Sequence, residues 1–165
     1  MVWFAYAMPT YDDFEWARPS QLAELARAEI PWSYYLTTEV RFDSGIVRPV
    51  DDGEGTNPPF GPLHVVTAIQ PQAEYDCAEN AARMEVLDLE LARQGIPSVG
   101  VVGSSSDGTY SEQSRAISGL TDDEARRLGT RFGQVAIFAW LGPRWSVLAC
   151  QTDRSMCSRW TWEKY

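Results

Sequence analysis

The sequence predicts an α+β domain, a ferredoxin-like split βαβ sandwich with an extra strand at each end. Two observations support this fold class. Apolar, β-branched runs alternate with segments of helical spacing in the order strand, helix, strand, strand, helix, strand. Right-handed crossovers are the usual closure for such an order, and they place both helices on one face of one sheet. A chain of 165 residues that is 44% hydrophobic fits one domain with a normal core.

The N-terminal third predicts one helix, one strand and a long loop. Residues 20–29 carry leucines on one face, and Pro31 is expected to stop this helix. Residues 34–42 are rich in aromatic and β-branched side chains, which is typical of a strand. Residues 43–62 are rich in Gly, Pro and Asp, and they predict either a mobile flap or a solvated loop without function.

The central segment predicts the sandwich itself. The expected strands cover residues 63–69, 96–102, 114–120 and 135–141, and a further strand follows at 145–150. The first helix begins with Asp76 as its N-cap and ends before Gly95. The second begins with a Thr121–Glu124 capping box, and Phe132 is its last inward-facing residue.

The predicted single domain, 1–165, therefore has three parts. They are an N-terminal helical extension at 1–33, an α+β core at 34–151 and an aromatic tail at 152–165 that packs back on the core. No apolar run approaches a membrane span, and the short apolar start lacks the basic residues of a signal peptide. Three cysteines and one histidine argue against a disulfide scaffold and a zinc site, so a cytoplasmic location is expected.

The charge balance bears on the class of partner. The chain carries a net charge of −9 and no basic stripe, so direct binding of nucleic acid is not expected. Acidity of this kind usually serves solubility. A more specific interpretation is that the surface carboxylates mimic phosphates and so bind a basic partner.

Four segments resemble a bacterial family known only as domain-of-unknown-function family 3293. They are Val-Thr-Ala at 66–68, Glu-Asn-Ala-Ala-Arg at 79–83, the run from Ser to Ser at 106–114, and Arg-Phe-Gly-Gln-Val-Ala-Ile-Phe at 131–138. The resemblance covers about residues 63–141 and implies a fold and a set of polar positions, but no established activity. The family usually shows Asn-Pro after the first strand, where this chain has Gln70-Pro71.

Polar residues at the ends of the predicted elements are the candidates for ligand binding. They are Gln70, Asn80, Asp107, Glu112, Ser114 and Gln134. Amides and carboxylates suit a polar ligand, or a hard cation such as Mg²⁺ held by Asp107 and Glu112. The same residue types also bond exposed backbone at element ends and in turns, so a structural role remains the alternative. No resident metal or cofactor is predicted.

Catalytic motifs are not apparent. His64 lies in an apolar strand and is better explained as a core or edge histidine than as a general base. Cys77 precedes a helix, which lowers a thiol pKa, but the sequence offers it no second histidine. Nucleophile-elbow, Walker and dinucleotide motifs are missing. Whether the chain is an enzyme is left open.

Two functional hypotheses follow. The first is a non-catalytic interaction domain, an accessory or inhibitory protein of bacterial or phage origin, whose acidic surface or aromatic tail meets a protein partner. The second is a small enzyme or ligand sensor for a phosphorylated or nucleotide-like molecule, with the six polar residues as its site.

Overall fold

The computed structural model describes residue 5 and residues 7–71 and 78–165. A 3₁₀ turn at Tyr11–Asp13 precedes the helices α1 (Pro19–Arg27), α2 (Glu29–Leu36), α3 (Ala78–Arg93) and α4 (Asp122–Arg131). The strands are β1 (Glu39–Phe42), β2 (Gly45–Val50), β3 (Leu63–Val66), β4 (Ser98–Ser104), β5 (Ser111–Ile117), β6 (Ala136–Leu141), β7 (Arg144–Ala149) and β8 (Ser155–Lys164). They form a closed antiparallel barrel in the order β1-β2-β8-β7-β6-β3-β5-β4, with β4 paired to β1.

The predicted ferredoxin-like split βαβ sandwich is therefore wrong, because the sheet closes on itself. An open sandwich would end at β4 and β6, whereas here β4 continues to β1 and β6 continues to β7. The pairing of β2 with β8, which sets Val47 opposite Trp162, completes the ring. Hydrophobic periodicity describes each strand by itself and carries no information about so distant a partner.

The N-terminal region also differs from the prediction. Pro31 does not stop the helical region but lies in the first turn of α2, where an N–H has no intrahelical acceptor to lose. The helix therefore continues to Leu36, and the strand predicted over 34–42 is reduced to β1. The loop predicted over 43–62 contains β2, so it is reduced to a turn at 43–44 and an irregular segment at 51–62.

The predicted N-terminal cap of α4 is present in the structure. Thr121 Oγ1 accepts a hydrogen bond from the Glu124 main-chain N–H at 3.1 Å, and the Glu124 carboxylate accepts one from the Thr121 N–H at 2.8 Å. The predicted capping box is thus confirmed. The N-cap predicted for α3, Asp76, and the neighbouring Cys77 lie outside the described residues.

Alternate strand residues face two separate apolar cores. The inner core fills the barrel and includes Val40, Phe42, Val47, Leu63, Val65, Val101, Ala116, Phe138, Trp140, Trp145, Val147 and Trp160. The outer core lies between the barrel and the helices α3 and α4, and it includes Val66, Met84, Leu87, Leu91, Ile117, Leu128, Phe132 and Ile137. Both helices therefore cover the same outer side of the sheet, and Phe132 is fully buried there.

The two ends of the barrel are built differently. Leu22 and Ala26 of α1 and Trp32 of α2 join the inner core, and Tyr35 packs against Phe138 with ring centroids 6.5 Å apart. These two helices cover what we call the closed end. At the opposite end, called the mouth, the β1–β2 turn and the β2–β3 loop surround a pocket. No helix within the described ranges is long and apolar enough to cross a membrane.

Candidate functional site

Gln70 and Gln134, two of the predicted site residues, meet at the closed end. The Gln70 side-chain amide donates to the main-chain oxygens of Ala68 at 3.0 Å and Phe132 at 2.8 Å, and its oxygen accepts from the Ala17 N–H at 2.8 Å. The Gln134 amide also donates to the Phe132 oxygen, at 3.0 Å. Both side chains thus bind the backbone that links α4, β3 and the N-terminal segment.

Gly133 explains why the end of α4 has this sequence. Its φ is +69°, in the left-handed region that side chains disfavour, and a Cβ there would collide with the Gln70 side-chain amide. The Phe132-Gly133-Gln134 segment therefore ends the helix and orients the Phe132 oxygen toward the two glutamine amides. The geometry gives both glutamines a structural role.

Asp107 lies in the exposed turn between β4 and β5. Its Oδ1 accepts hydrogen bonds from the Ser105 hydroxyl at 2.7 Å, the Thr109 N–H at 3.0 Å and the Thr109 hydroxyl at 2.7 Å. The bond from the Ser105 hydroxyl, followed by those from Thr109, lowers the pKa of Asp107 to about 2. Its bonding stabilises the turn.

Glu112 and Ser114 lie on the same side of β5, which the next alternate residue, Ala116, shows to be the barrel interior. Burial of the Glu112 carboxyl raises its pKa, and the hydrogen bond from the Tyr110 hydroxyl, at 2.6 Å, opposes this. Burial, followed by the charge of Glu112, raises the pKa of Tyr35 on α2. Glu112 and Tyr35 are therefore two titratable groups that interact at the closed end.

The six predicted residues thus lie in different parts of the fold. Gln70 and Gln134 share one acceptor outside the barrel, Glu112 and Ser114 share the interior face of β5, and Asp107 lies in an exposed turn. Asn80 is buried in the first turn of α3. No group of three or more His, Cys, Asp or Glu side chains within the described ranges is placed to hold a metal ion.

A polar cleft at the closed end contains an arginine that the sequence analysis did not single out. This Arg83 cleft has a volume of about 660 Å³ and is lined by Glu15, Trp16, Ala17, Arg18, Gln21, Gln70, Pro71 and Arg83. The Arg83 side chain is only 9% exposed, and its Nε lacks a hydrogen-bond partner in the described part of the chain. The available signal was its helical spacing from Leu87, on the buried face of α3.

The mouth holds the second pocket, with a volume of about 290 Å³. Phe42, Phe60, Leu63 and Ala116 supply apolar walls, and Asp43 is the charged side chain among the lining residues. The first residues of β4, Ser98–Gly100, form one side of this pocket and are exposed.

The remaining reactive side chains have identifiable surroundings. His64 is buried on the outer face of β3, where its Nε2 lies 2.7 Å from the Asp122 carboxylate. Cys150 and Cys157 are free thiols, and burial raises the pKa of Cys150 to about 12. A thiol of that pKa is protonated at neutral pH and is a weak nucleophile.

Comparison with known proteins finds a family model that matches part of the chain. The family model described as "Protein of unknown function (DUF3293)" matches residues 66–137, which confirms the resemblance noted in the sequence. The matched stretch includes Gln70, Arg83 and Gln134. No curated protein and no solved structure matches the chain.

Proposed function

We propose that this chain is a non-catalytic interaction domain that holds an extended, basic segment of a partner protein along β4 at the mouth. A bacterial or phage protein of the cytoplasm, in an accessory or inhibitory role, is the setting that we propose. The observation that carries the proposal is the open edge of β4. β1 pairs with β4 only at Val102, Gly103 and Ser104, although β4 begins at Ser98.

The direction of the backbone groups supports strand addition. Ser118 N–H bonds Pro97 O and Ser105 N–H bonds Tyr110 O, so odd-numbered residues of β4 bond β5. The N–H and C=O groups of Ser98 and Gly100 consequently face away from β5, on the side where no strand of the described chain pairs with them. Such an edge is a template for an added strand.

The chemistry of the pocket indicates which segment fits. Alternate side chains of an added strand point to one side, and the apolar walls from Phe42 and Phe60 suit aliphatic residues there. Asp43 on the same pocket and the net charge of −9 favour a basic partner over an acidic one. The proposal thus keeps the acidic surface as the source of selectivity.

The alternative, a sensor or enzyme with the six polar residues as its site, has less support. Gln70 and Gln134 are occupied by main-chain partners, and Asp107 by its own turn. We therefore propose the interaction domain as the function that the geometry supports best.

A peptide-binding experiment tests the proposal. A labelled octapeptide of alternating Lys and Val is titrated with the protein by fluorescence anisotropy, and a peptide of alternating Glu and Val is the matched control. We expect saturable binding of the Lys peptide that weakens with added salt, and binding of the Glu peptide that is at least about tenfold weaker.

Two variants at one position locate the site. Gly100→Pro removes the N–H on the open side of β4 without removing a bond to β5, and we expect the Lys peptide to dissociate. Gly100→Ala keeps the N–H and adds a Cβ whose nearest neighbour lies at 3.8 Å, so it should bind like the wild type. Equal binding by both variants, or no binding by the wild type, would refute the proposal.

A further inference from the structure

We infer that the partner segment held along β4 is recognised at one position: it places a single large apolar side chain, opposite Val99, in the mouth pocket. This inference rests on the proposed strand addition and names the feature of the partner that the site selects. Three observations support it: the short length of the open edge, the inward direction of Val99, and the size of the pocket.

One end of the open edge is set by β1. Arg41 pairs with Val102 of β4, and β1 ends one residue later, at Phe42. There the chain turns back through residues 43–44 into β2, with Phe42 opposite Gly45. An added strand beside the start of β4 therefore continues the line of β1 and meets this turn at one end.

The other end of the open edge is set by the connection from α3. Pro97 has no N–H, and the Ile96 N–H donates to the Leu91 main-chain oxygen at 2.9 Å. The backbone groups on this edge that have no strand partner within the described ranges are those of Ser98 and Gly100. The added strand thus pairs with β4 over about three residues, because alternate residues of a strand bond the same neighbour.

Side-chain alternation fixes which residue of the added strand points into the barrel. Val101 belongs to the inner core, so Val99, two residues earlier on β4, also points inward. A residue paired with Val99 points the same way, whereas the residues paired with Ser98 and Gly100 point outward. Val99 is nevertheless 59% exposed, so the described chain leaves much of this inward-facing side chain uncovered. One side chain of the partner therefore enters the mouth beside Val99.

The mouth pocket matches one apolar side chain. Its volume of about 290 Å³ is at the lower limit of the pockets that hold small molecules. Leu63 and Ala116 of the inner core line it together with Phe42 and Phe60, whose rings stack with centroids 5.0 Å apart. Phe60 is half exposed, so an apolar side chain placed beside it removes apolar surface from water. A large apolar residue is therefore the anchor.

Asp43 gives the anchor a charged neighbour. It is exposed in the β1–β2 turn, and it lines the pocket at the end that the added strand meets. A carboxylate there favours a basic residue next to the anchor and repels an acidic one. The partner that fits is a basic segment with a single large apolar residue.

A peptide series tests the inference by fluorescence anisotropy. The host is a labelled heptapeptide, Lys-Thr-Lys-X-Lys-Thr-Lys, with capped ends and with Leu or Ala at X. We expect the Leu peptide to bind about tenfold more tightly than the Ala peptide, because the larger side chain removes more apolar surface from water. Replacing one Thr by a second Leu should gain no more than about twofold, the statistical factor for two registers, because only one leucine enters the pocket at a time.

The outcomes separate this inference from the proposed function. Equal binding of the Leu and Ala peptides, with loss of both in Gly100→Pro, would leave strand addition standing and overturn the anchor. A gain of about tenfold from the second leucine would also overturn it, because a second position would then be recognised. Absence of binding by every peptide would refute the strand addition, and the anchor with it.

Variants locate the anchor in the pocket. Phe60→Ala removes one wall, so the Leu peptide should lose most of its advantage, whereas the Ala peptide, which is held by backbone bonds, should bind the variant and the wild type equally. Met156 is similarly exposed but does not line the pocket, so Met156→Ala is the matched control and should keep the ratio of the two affinities. A general loss of structure would weaken both peptides alike and leave that ratio unchanged. An unchanged ratio in Phe60→Ala would overturn the inference.

Discussion

The closed end and the mouth of the barrel are formed by the same strands, but helices cover the core only at the closed end within the described chain. At the closed end, α1 and α2 extend the inner core, and Arg154 donates to the Ala26 main-chain oxygen at 3.0 Å while stacking 4.7 Å from the Trp32 ring centroid. At the mouth, no helix of the described chain covers the core, and Phe60 remains 48% exposed. The helices therefore cover the core at one end, and part of the β4 edge is accessible at the other.

This difference separates two kinds of polar residue. At the closed end the side-chain amides of Gln70 and Gln134 donate hydrogen bonds to the Phe132 main-chain oxygen. Burial there raises the pKa of the Glu112 carboxyl. At the mouth the backbone groups of Ser98 and Gly100 have no such partner within the described ranges. Arg83 is the exception, since it lies at the closed end and still has an unused donor.

The largest expected effect comes from removing the main anchor of the closed end. Trp32 is 2% exposed, so Trp32→Ala should lower the free energy of unfolding by about 3 to 5 kcal/mol through the cavity that it leaves. Phe60→Ala at the mouth is the comparison variant and should cost less than about 1.5 kcal/mol, because much of the ring is already solvated. Urea unfolding measures both, and equal losses would contradict the contrast between the two ends.

A smaller loss is expected from the glutamine bonds. Gln134→Ala removes amide bonds to Ile69 O at 2.9 Å and Phe132 O at 3.0 Å, which should cost about 1 to 3 kcal/mol. Gln113→Ala, an exposed position on β5, should be close to neutral. Thermal unfolding compares the two, and an unchanged melting temperature for Gln134→Ala would return Gln134 to the candidates for ligand binding.

The buried carboxyl of Glu112 should make the closed end sensitive to pH. Because burial raises its folded pKa above the ordinary value of 4.5, its contribution to stability is full below that value and is lost as the pH rises through the folded pKa. Glu112→Gln removes this titration. Urea unfolding should therefore show the variant gaining on the wild type from about pH 4 upward. A constant difference across that range would mean that the Glu112 carboxyl is solvated.

The smallest effect is expected at the exposed β4–β5 turn. The folded pKa of Asp107 is lowered to about 2 from 3.8, so its stabilising contribution is present above the higher value and is lost as the pH falls toward the lower. Asp107→Asn should therefore lower stability slightly at neutral pH, and its difference from the wild type should shrink as the pH falls below about 4. The ¹³C chemical shift of the carboxyl through an acid titration measures the pKa, and an ordinary value would contradict the bonding in this turn.

Local chemistry made part of this molecule predictable. The Thr121–Glu124 capping box, the helix end at Gly133 and the buried Phe132 all follow from interactions within a few residues along the chain. The Pro31 prediction failed for a similarly local reason, because a proline that ends one helix is also tolerated in the first turn of the next. For the candidate site, the sequence indicated which positions are polar. It did not indicate which of those side chains would form hydrogen bonds with main-chain groups.

The sequence by itself determined the main elements of the central segment, the alternation of their apolar faces and the resemblance to one family. The tertiary structure alone decided that the sheet closes, and that Arg83 shares a cleft with Arg18. The physical reason is distance along the chain: periodicity and capping depend on neighbours within one or two turns. The pairing of Val47 with Trp162, and the contact of Arg83 with Glu15, exist only after the whole barrel has formed.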